Sequence, residues 1–353
     1  MSYRTGLIVG KFAPLTRGHE SLIRAAARQC EELIILSYTS ADYGKYSNPS
    51  IRRKALEMFV ESLKSDSLTK FRVEVLERSF ENRLWLHPDD DDAEVIHRDF
   101  CSSYLLNKLG TTVQAVFSSE EYGEGFAKHL QNYFNMQLGT NMVVDNVVLD
   151  LERKVVPISA TEVRKMGAYK AKMELWISPD VYSLLVPKVL ILGGESSGKT
   201  TLSRALADVL DTTWVPEYGR ELWEVRGGQL FYEDMEMIAK TQLLDELRYG
   251  FEAKEFLICD TSPATTLFYS QKLFNRSSVN LVKMAYEANY DLILMCGNDI
   301  PFVQDGTRRD EAFRNEAYDF YLKWYARSNS IYVLHGSVEE RVRQAMVHIG
   351  GLQ

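Results

Sequence analysis

The sequence predicts an α/β protein of two domains, each built on a parallel sheet. Short apolar runs alternate with helical patterns along the chain, as parallel strands joined by crossover helices do. A length of 353 residues exceeds what one core usually serves. Two glycine-bearing stretches, "GKFAPLTRGH" and "GGESSGKTT", each sit between an apolar run and a helical pattern.

The first domain is expected over residues 1–186. Gly6–Val9, Leu33–Leu36, Phe71–Val75 and Val113–Phe117 are its short apolar runs and read as strands. Helical spacing fills the gaps, for example over Ile51–Leu63 and Val95–Leu109. Pro187 should stop the preceding helix, and a fresh strand follows at once, which puts the second domain at 187–353. There Val189–Leu192, Phe256–Cys259, Leu292–Met295 and Ile331–Leu334 read as strands, with helices over Lys199–Leu210, Asp234–Tyr249 and Arg314–Ala326.

Composition narrows the function. A hydrophobic fraction of 45% and a charged fraction of 25% suit a soluble globular chain. A formal net charge of -8 argues against a sequence-independent grip on nucleic acid, which needs clustered positive charge. Small anionic ligands need only a few amides and cations, so they remain open. Four scattered cysteines and six histidines lack the spacing of a zinc site and suit a reducing compartment. No stretch reaches the length of a membrane span and no signal peptide is visible, so a cytoplasmic protein is expected. The oligomeric state stays open, a homo-oligomer included.

"VLILGGESSGKTTLSRALADVL" fits G-x-x-x-x-G-K-[ST] at Gly193, Gly198, Lys199 and Thr200, with a strand before it and a helix after. Gly193, Gly194, Glu195, Ser196, Ser197 and Gly198 would curl so that successive amides face a phosphate, and Thr201 continues into the helix. Lys199 would reach the β- and γ-phosphates of ATP, and the Thr200 hydroxyl would sit on Mg2+. Asp260 ends the run "FLICD" at a strand's C-terminal edge, where open α/β sheets bind ligands. It could hold magnesium, accept a hydroxyl proton or merely cap the next helix. Glu217, Tyr218 and Arg220 follow a short β-like segment, while Asp305, Arg308 and Arg309 occupy a polar loop. That loop is either plain surface or an arginine arm over a transferring phosphoryl group.

In the opening stretch Gly10 ends the first strand, and Gly18 with His19 begins a helix. His19 is then either a polar cap or a donor to a phosphate oxygen. "VVPISATEVRKMG" adds Ser159, Thr161 and Arg164 at a second helix start, which makes a triphosphate held between the two starts plausible. The acidic run Asp89–Asp92 reads as a solvated loop, with a cation site as the alternative.

"GKFAPLTRGH" with "ISATEVR" resembles the nucleotidylyltransferase superfamily. "LGGESSGKT", "EYGRE", "DTSPATT" and "PFVQDGTRR" resemble the kinase half of the bifunctional nicotinamide mononucleotide adenylyltransferase / ribosylnicotinamide kinase family (NadR type). The resemblance implies an N-terminal Rossmann-like nucleotidylyltransferase fold and a C-terminal P-loop kinase fold. It implies that the C-terminal domain phosphorylates nicotinamide riboside with ATP to nicotinamide mononucleotide. The N-terminal domain would then join that product to AMP from ATP, giving NAD and pyrophosphate. His19 with Thr16 would hold the reacting phosphates, and Ser159, Thr161 and Arg164 the triphosphate. Gly10, Lys11, Phe12 and the "FSSE" residues Ser118, Ser119 and Glu120 would complete the nucleotide site. Glu217, Tyr218, Arg220 and Asp305 would meet the riboside, Arg308 and Arg309 the ATP, and Asp260 is the favoured base.

Thr16 stands where close relatives have the first histidine of H-x-G-H, and Pro216 where they have tryptophan. Some relatives add a DNA-binding domain. This chain opens at the first strand, so no operator binding is expected. An active kinase joined to a weak or nucleotide-sensing N-terminal domain is the alternative.

Overall fold

The structure, a computed structural model, describes residues 3–78, 85–149, 157–167, 170–304, 308–326 and 331–352. It divides into two compact units, Met1–Gly167 with Lys172–Leu185, and Ala168–Ala171 with Val186–Gln353. The helix Pro179–Leu185 stops just short of Pro187, which cannot donate to a continuing helix.

In the first unit β1 (Tyr3–Gly10), β2 (Cys30–Ser37), β3 (Lys70–Val75), β4 (Ala115–Ser118) and β5 (Asp145–Val148) form a sheet in the order β3-β2-β1-β4-β5. Every pairing is parallel. The order reverses direction between β1 and β4, and their C-terminal ends open a crevice there. Leu7, Ile34, Leu36 and Val116 lie under Leu130 and Phe134 of the helix Gly123–Leu138 in one core. The edge strand β5 is absent from the sequence reading, because its half-exposed Asp145–Val148 lacks the continuous apolar run of a central strand.

The helix expected over Val95–Leu109 runs as Glu94–Ser103 and then widens into a π-type turn at Tyr104–Lys108. The Leu109 N–H reaches the Tyr104 carbonyl at 3.0 Å, and the Tyr104 hydroxyl is held by Glu74 at 3.2 Å. Apolar spacing alone does not separate such a turn from ordinary helix.

The second unit stacks β6 (Lys188–Leu192), β7 (Trp214–Val215), β8 (Leu257–Asp260), β9 (Leu292–Cys296) and β10 (Ile331–Leu334) in the order β10-β9-β6-β8-β7. All of its pairings are parallel too. Val189, Ile191, Ile258 and Leu294 pack against Leu202 and Leu206 of the helix Lys199–Val209. The phosphate-loop glycines leave β6 toward the sheet's C-terminal edge, and β8 delivers Asp260 to that edge. All four cysteines are buried and free. No described helix is long and apolar enough to cross a membrane.

Candidate active sites

A cavity of about 780 Å³ opens at the C-terminal ends of β1 and β4. Thr16 caps the helix Arg17–Ala27 and shapes one wall. The Thr16 N–H donates to His19 Nδ1 at 3.1 Å, and the His19 N–H donates to Thr16 Oγ1 at 3.4 Å. This reciprocal cap uses histidine where glutamate is usual. Because Nδ1 accepts from an amide, the neutral ring carries its proton on Nε2. Phe12 takes left-handed backbone (φ +48) and sets its buried ring edge-on to His19, 5.0 Å between centroids.

Gly10, Lys11, Phe12, Thr16 and His19 line this cavity from the opening loop. Thr16 Oγ1 accepts the cap bond from the His19 N–H, so this side chain orients His19 while it lines the cavity. From the second segment Ser159, Thr161 and Arg164 also line it. Ser159 caps the helix Ala160–Arg164 in a reciprocal pair with Glu162. Arg164 joins the two segments: it donates to the Ala13 carbonyl at 2.5 Å and to Thr161 Oγ1 at 2.8 Å. Its guanidinium lies over the Tyr43 ring at 3.9 Å. Ser119 and Glu120 reach the cavity. Ser118 does not: it is buried, and its hydroxyl donates to the Glu120 carbonyl at 3.2 Å.

Lys11 is paired with Asp90 at 2.6 Å. Asp90 also accepts the Thr39 hydroxyl at 2.8 Å and the Ser40 N–H at 2.7 Å. Burial opposes ionisation of Asp90, but Lys11, Ser40 and Thr39 outweigh it and hold the carboxyl down at about 2. Within the run, Asp89, Asp91 and Asp92 are exposed, as a solvated loop would be, whereas Asp90 is half-buried and stands in the cavity wall as the counter-ion of Lys11. Sequence reasoning missed this pairing, and also Tyr38, His97 and Tyr122 of the same cavity. Tyr38 directly follows β2, so placement at a strand's C-terminal edge was its available signal.

The second cavity, about 450 Å³, opens beyond β6 and β8. Gly193 (φ +152) and Gly198 (φ +84) take backbone that favours glycine. A Cβ on Gly194 would stand 2.5 Å from the Arg314 carbonyl. Glu195, Ser196, Ser197, Gly198, Lys199, Thr200 and Thr201 line the cavity, whereas Gly193 and Gly194 lie outside its lining, at the start of the loop. Lys199 Nζ rests on the Gly194 carbonyl at 3.1 Å.

Asp260 is fully buried and accepts the Thr200 hydroxyl at 2.5 Å. It lies behind Thr200, outside the cavity lining. Burial pushes its carboxyl up, against the pull of Lys199 and Thr200. Asp260 Oδ1 has no hydrogen-bond partner among the described residues. With the Thr200 hydroxyl it forms a hard oxygen pair that fits Mg2+, which usually takes one or two carboxylates plus substrate phosphates.

Glu217 does line the cavity, and burial raises its carboxyl pKa despite Lys199. Arg220, Arg308 and Arg309 line it as well. Tyr218 does not; its N–H donates to Gln242 Oε1 at 3.0 Å. Asp305 lies outside the described residues. Trp223 and Tyr269 were missed and form part of the wall. Glu217, Arg220 and Trp223 recur every three residues along the helix Tyr218–Val225 and its cap, a same-face spacing that could have revealed Trp223.

A cytidylyltransferase-like family model matches residues 7–166, and an AAA domain model matches residues 188–341. The trifunctional NAD biosynthesis/regulator protein NadR of Salmonella typhimurium is 27% identical over 348 residues, covering 94% of this chain and 78% of the relative. A crystal structure of NadR protein in complex with NR has a TM-score of 0.59 at 18% identity, covering 100% of this chain and 96% of that one. A second, in complex with NAD and AMP-PNP, gives 0.58 at 19% identity, with 99% and 96% covered. The chain is thus a homologue of NadR, a cytidylyltransferase-like unit followed by an AAA-type phosphate-loop unit.

Proposed function

We propose that the chain carries out two successive steps of NAD salvage. The second unit phosphorylates nicotinamide riboside with ATP, and the first adenylylates the resulting mononucleotide to NAD. The observation that supports this reading is the pair of cavities, one in each unit, lined by His19 and by Lys199.

In the kinase cavity Glu217, rather than Asp260, takes the proton from the riboside's primary hydroxyl, because it alone of the two faces the cavity. The freed oxygen attacks the γ-phosphorus, and the bond to the bridging β–γ oxygen breaks. Lys199, Arg308 and Arg309 neutralise charge on the moving phosphoryl group. Thr200, backed by Asp260, would hold Mg2+, which when bound adds positive charge at the phosphates. Trp223 and Tyr269 offer aromatic faces to the acceptor's ring.

In the adenylyltransferase cavity no covalent intermediate is needed. A phosphate oxygen of the mononucleotide attacks the α-phosphorus of ATP in line, and pyrophosphate leaves. The His19 Nε2 proton, Arg164 and the amides at two helix starts stabilise the phosphate oxygens.

Mass spectrometry of products from nicotinamide riboside and MgATP tests both steps. NAD should appear after a rise of the mononucleotide. Mononucleotide without NAD would leave the first unit as a nucleotide sensor, and neither product would overturn the reading.

A further inference from the structure

One carboxylate in the second unit touches both halves of its cavity. Glu195 Oε1 accepts the Tyr269 hydroxyl at 2.8 Å, and Oε2 accepts the Arg309 backbone N–H at 2.6 Å. The contacts close into a ring. The Arg309 guanidinium lies over Phe313 at 5.4 Å, and Phe313 meets Tyr269 edge-on with centroids 5.3 Å apart. Glu195, Tyr269 and Arg309 all line the cavity.

A negative group inside a phosphate-binding loop works against a triphosphate, so Glu195 needs another reason to be there. The adjacent residue points the same way. Ser196 holds left-handed backbone (φ +59), a strain that persists where surrounding contacts impose it. Its hydroxyl oxygen accepts from the Val303 N–H at 2.9 Å and from Arg308 Nη1 at 3.2 Å. Two consecutive loop side chains thus face the segment that carries the arginines. Burial, with Glu217 and Glu195 nearby, keeps the Tyr269 hydroxyl protonated far above neutral pH, so it stays a donor.

We propose that Glu195 is a positioning residue for phosphoryl transfer, coupling the acceptor wall at Tyr269 to the phosphate-side Arg309. This rests on the kinase reading of the second unit. The position of Arg309 then depends on Tyr269, and an acceptor seated against Tyr269 alters the fit of ATP.

A double-substitution cycle on the full chain tests this. Tyr269→Phe alone should raise the riboside KM and lower kcat, for about a tenfold loss of kcat/KM, as expected for a hydrogen bond to a charged group. In the Glu195→Ala background the same change should cost less than about twofold, since the hydroxyl's partner is already gone. Glu195→Ala should keep full adenylyl transfer from supplied mononucleotide, which reports that the chain is folded. Glu195→Gln, which swaps one acceptor oxygen for a donor, runs the same cycle should the alanine variant fail to fold.

Riboside affinity measured with and without AMP-PNP gives a readout that a purely structural role would not move. It should differ at least about threefold in the natural protein and not at all in Glu195→Ala. Equal cost of Tyr269→Phe in both backgrounds, natural kinase constants in Glu195→Ala, or no effect of AMP-PNP on the natural protein would each overturn the coupling. A natural protein that forms no mononucleotide would instead overturn the kinase reading.

Discussion

Two carboxylates of the kinase cavity are pushed the same way by burial but stand in different places. Glu217 faces the cavity, and Asp260 stands behind Thr200. A base acts only when unprotonated, so raising the Glu217 pKa moves the acid limb of the kinase pH profile upward. The limb in kcat/KM should therefore lie above the ordinary glutamate value of about 4.3. Glu217→Gln should remove that limb and lower kcat by roughly 10²- to 10⁴-fold, and a pH–rate series on both proteins checks it. Asp90 behaves oppositely. Its folded pKa, about 2, lies below that of an unfolded aspartate. Its stabilisation is present above the unfolded value and is lost as pH falls through the folded one. Urea midpoints of Asp90→Asn should be lower at neutral pH and fall less steeply on acidification.

Helix starts and tight loops set the geometry of both cavities. The proton on His19 Nε2 follows from the Thr16 N–H, a backbone group that survives side-chain truncation. Thr16→Ala should thus cost about 1 kcal/mol of cap stability while leaving the KM for ATP in adenylyl transfer nearly unchanged. A large rise in that KM would instead make the Thr16 hydroxyl a phosphate ligand. At the second loop, a Cβ at position 194 meets the Arg314 carbonyl, which belongs to backbone and yields little. Gly194→Ala should destabilise the second unit by about 1–3 kcal/mol and depress the kinase rate with adenylyl transfer intact, as paired assays would show.

For the molecule as a whole, two sheets of independent strand order each carry one cavity. His19→Ala should lower NAD formation from supplied mononucleotide by at least about 10²-fold and spare mononucleotide formation. Lys199→Ala should do the reverse, each read by the two separate assays. Parallel loss of both activities in either variant would contradict the division of labour.

The sequence by itself determined the two parallel α/β units, and most of the residues it nominated line one of the two cavities. Apolar runs such as Leu33–Leu36 and the glycine loop before Lys199 are local patterns, and strand, turn and helix start follow from neighbouring residues alone. Only the tertiary structure decided which polar groups meet across the chain. Lys11 finds Asp90, Arg164 finds the Ala13 carbonyl, and Glu195 finds Tyr269. It also moved Ser118 and Asp260 out of the cavities and brought Asp90 and Trp223 in. Such contacts are fixed by how sheets and crossover helices close on one another, and residues far apart in the chain carry no mutual signal in a single sequence.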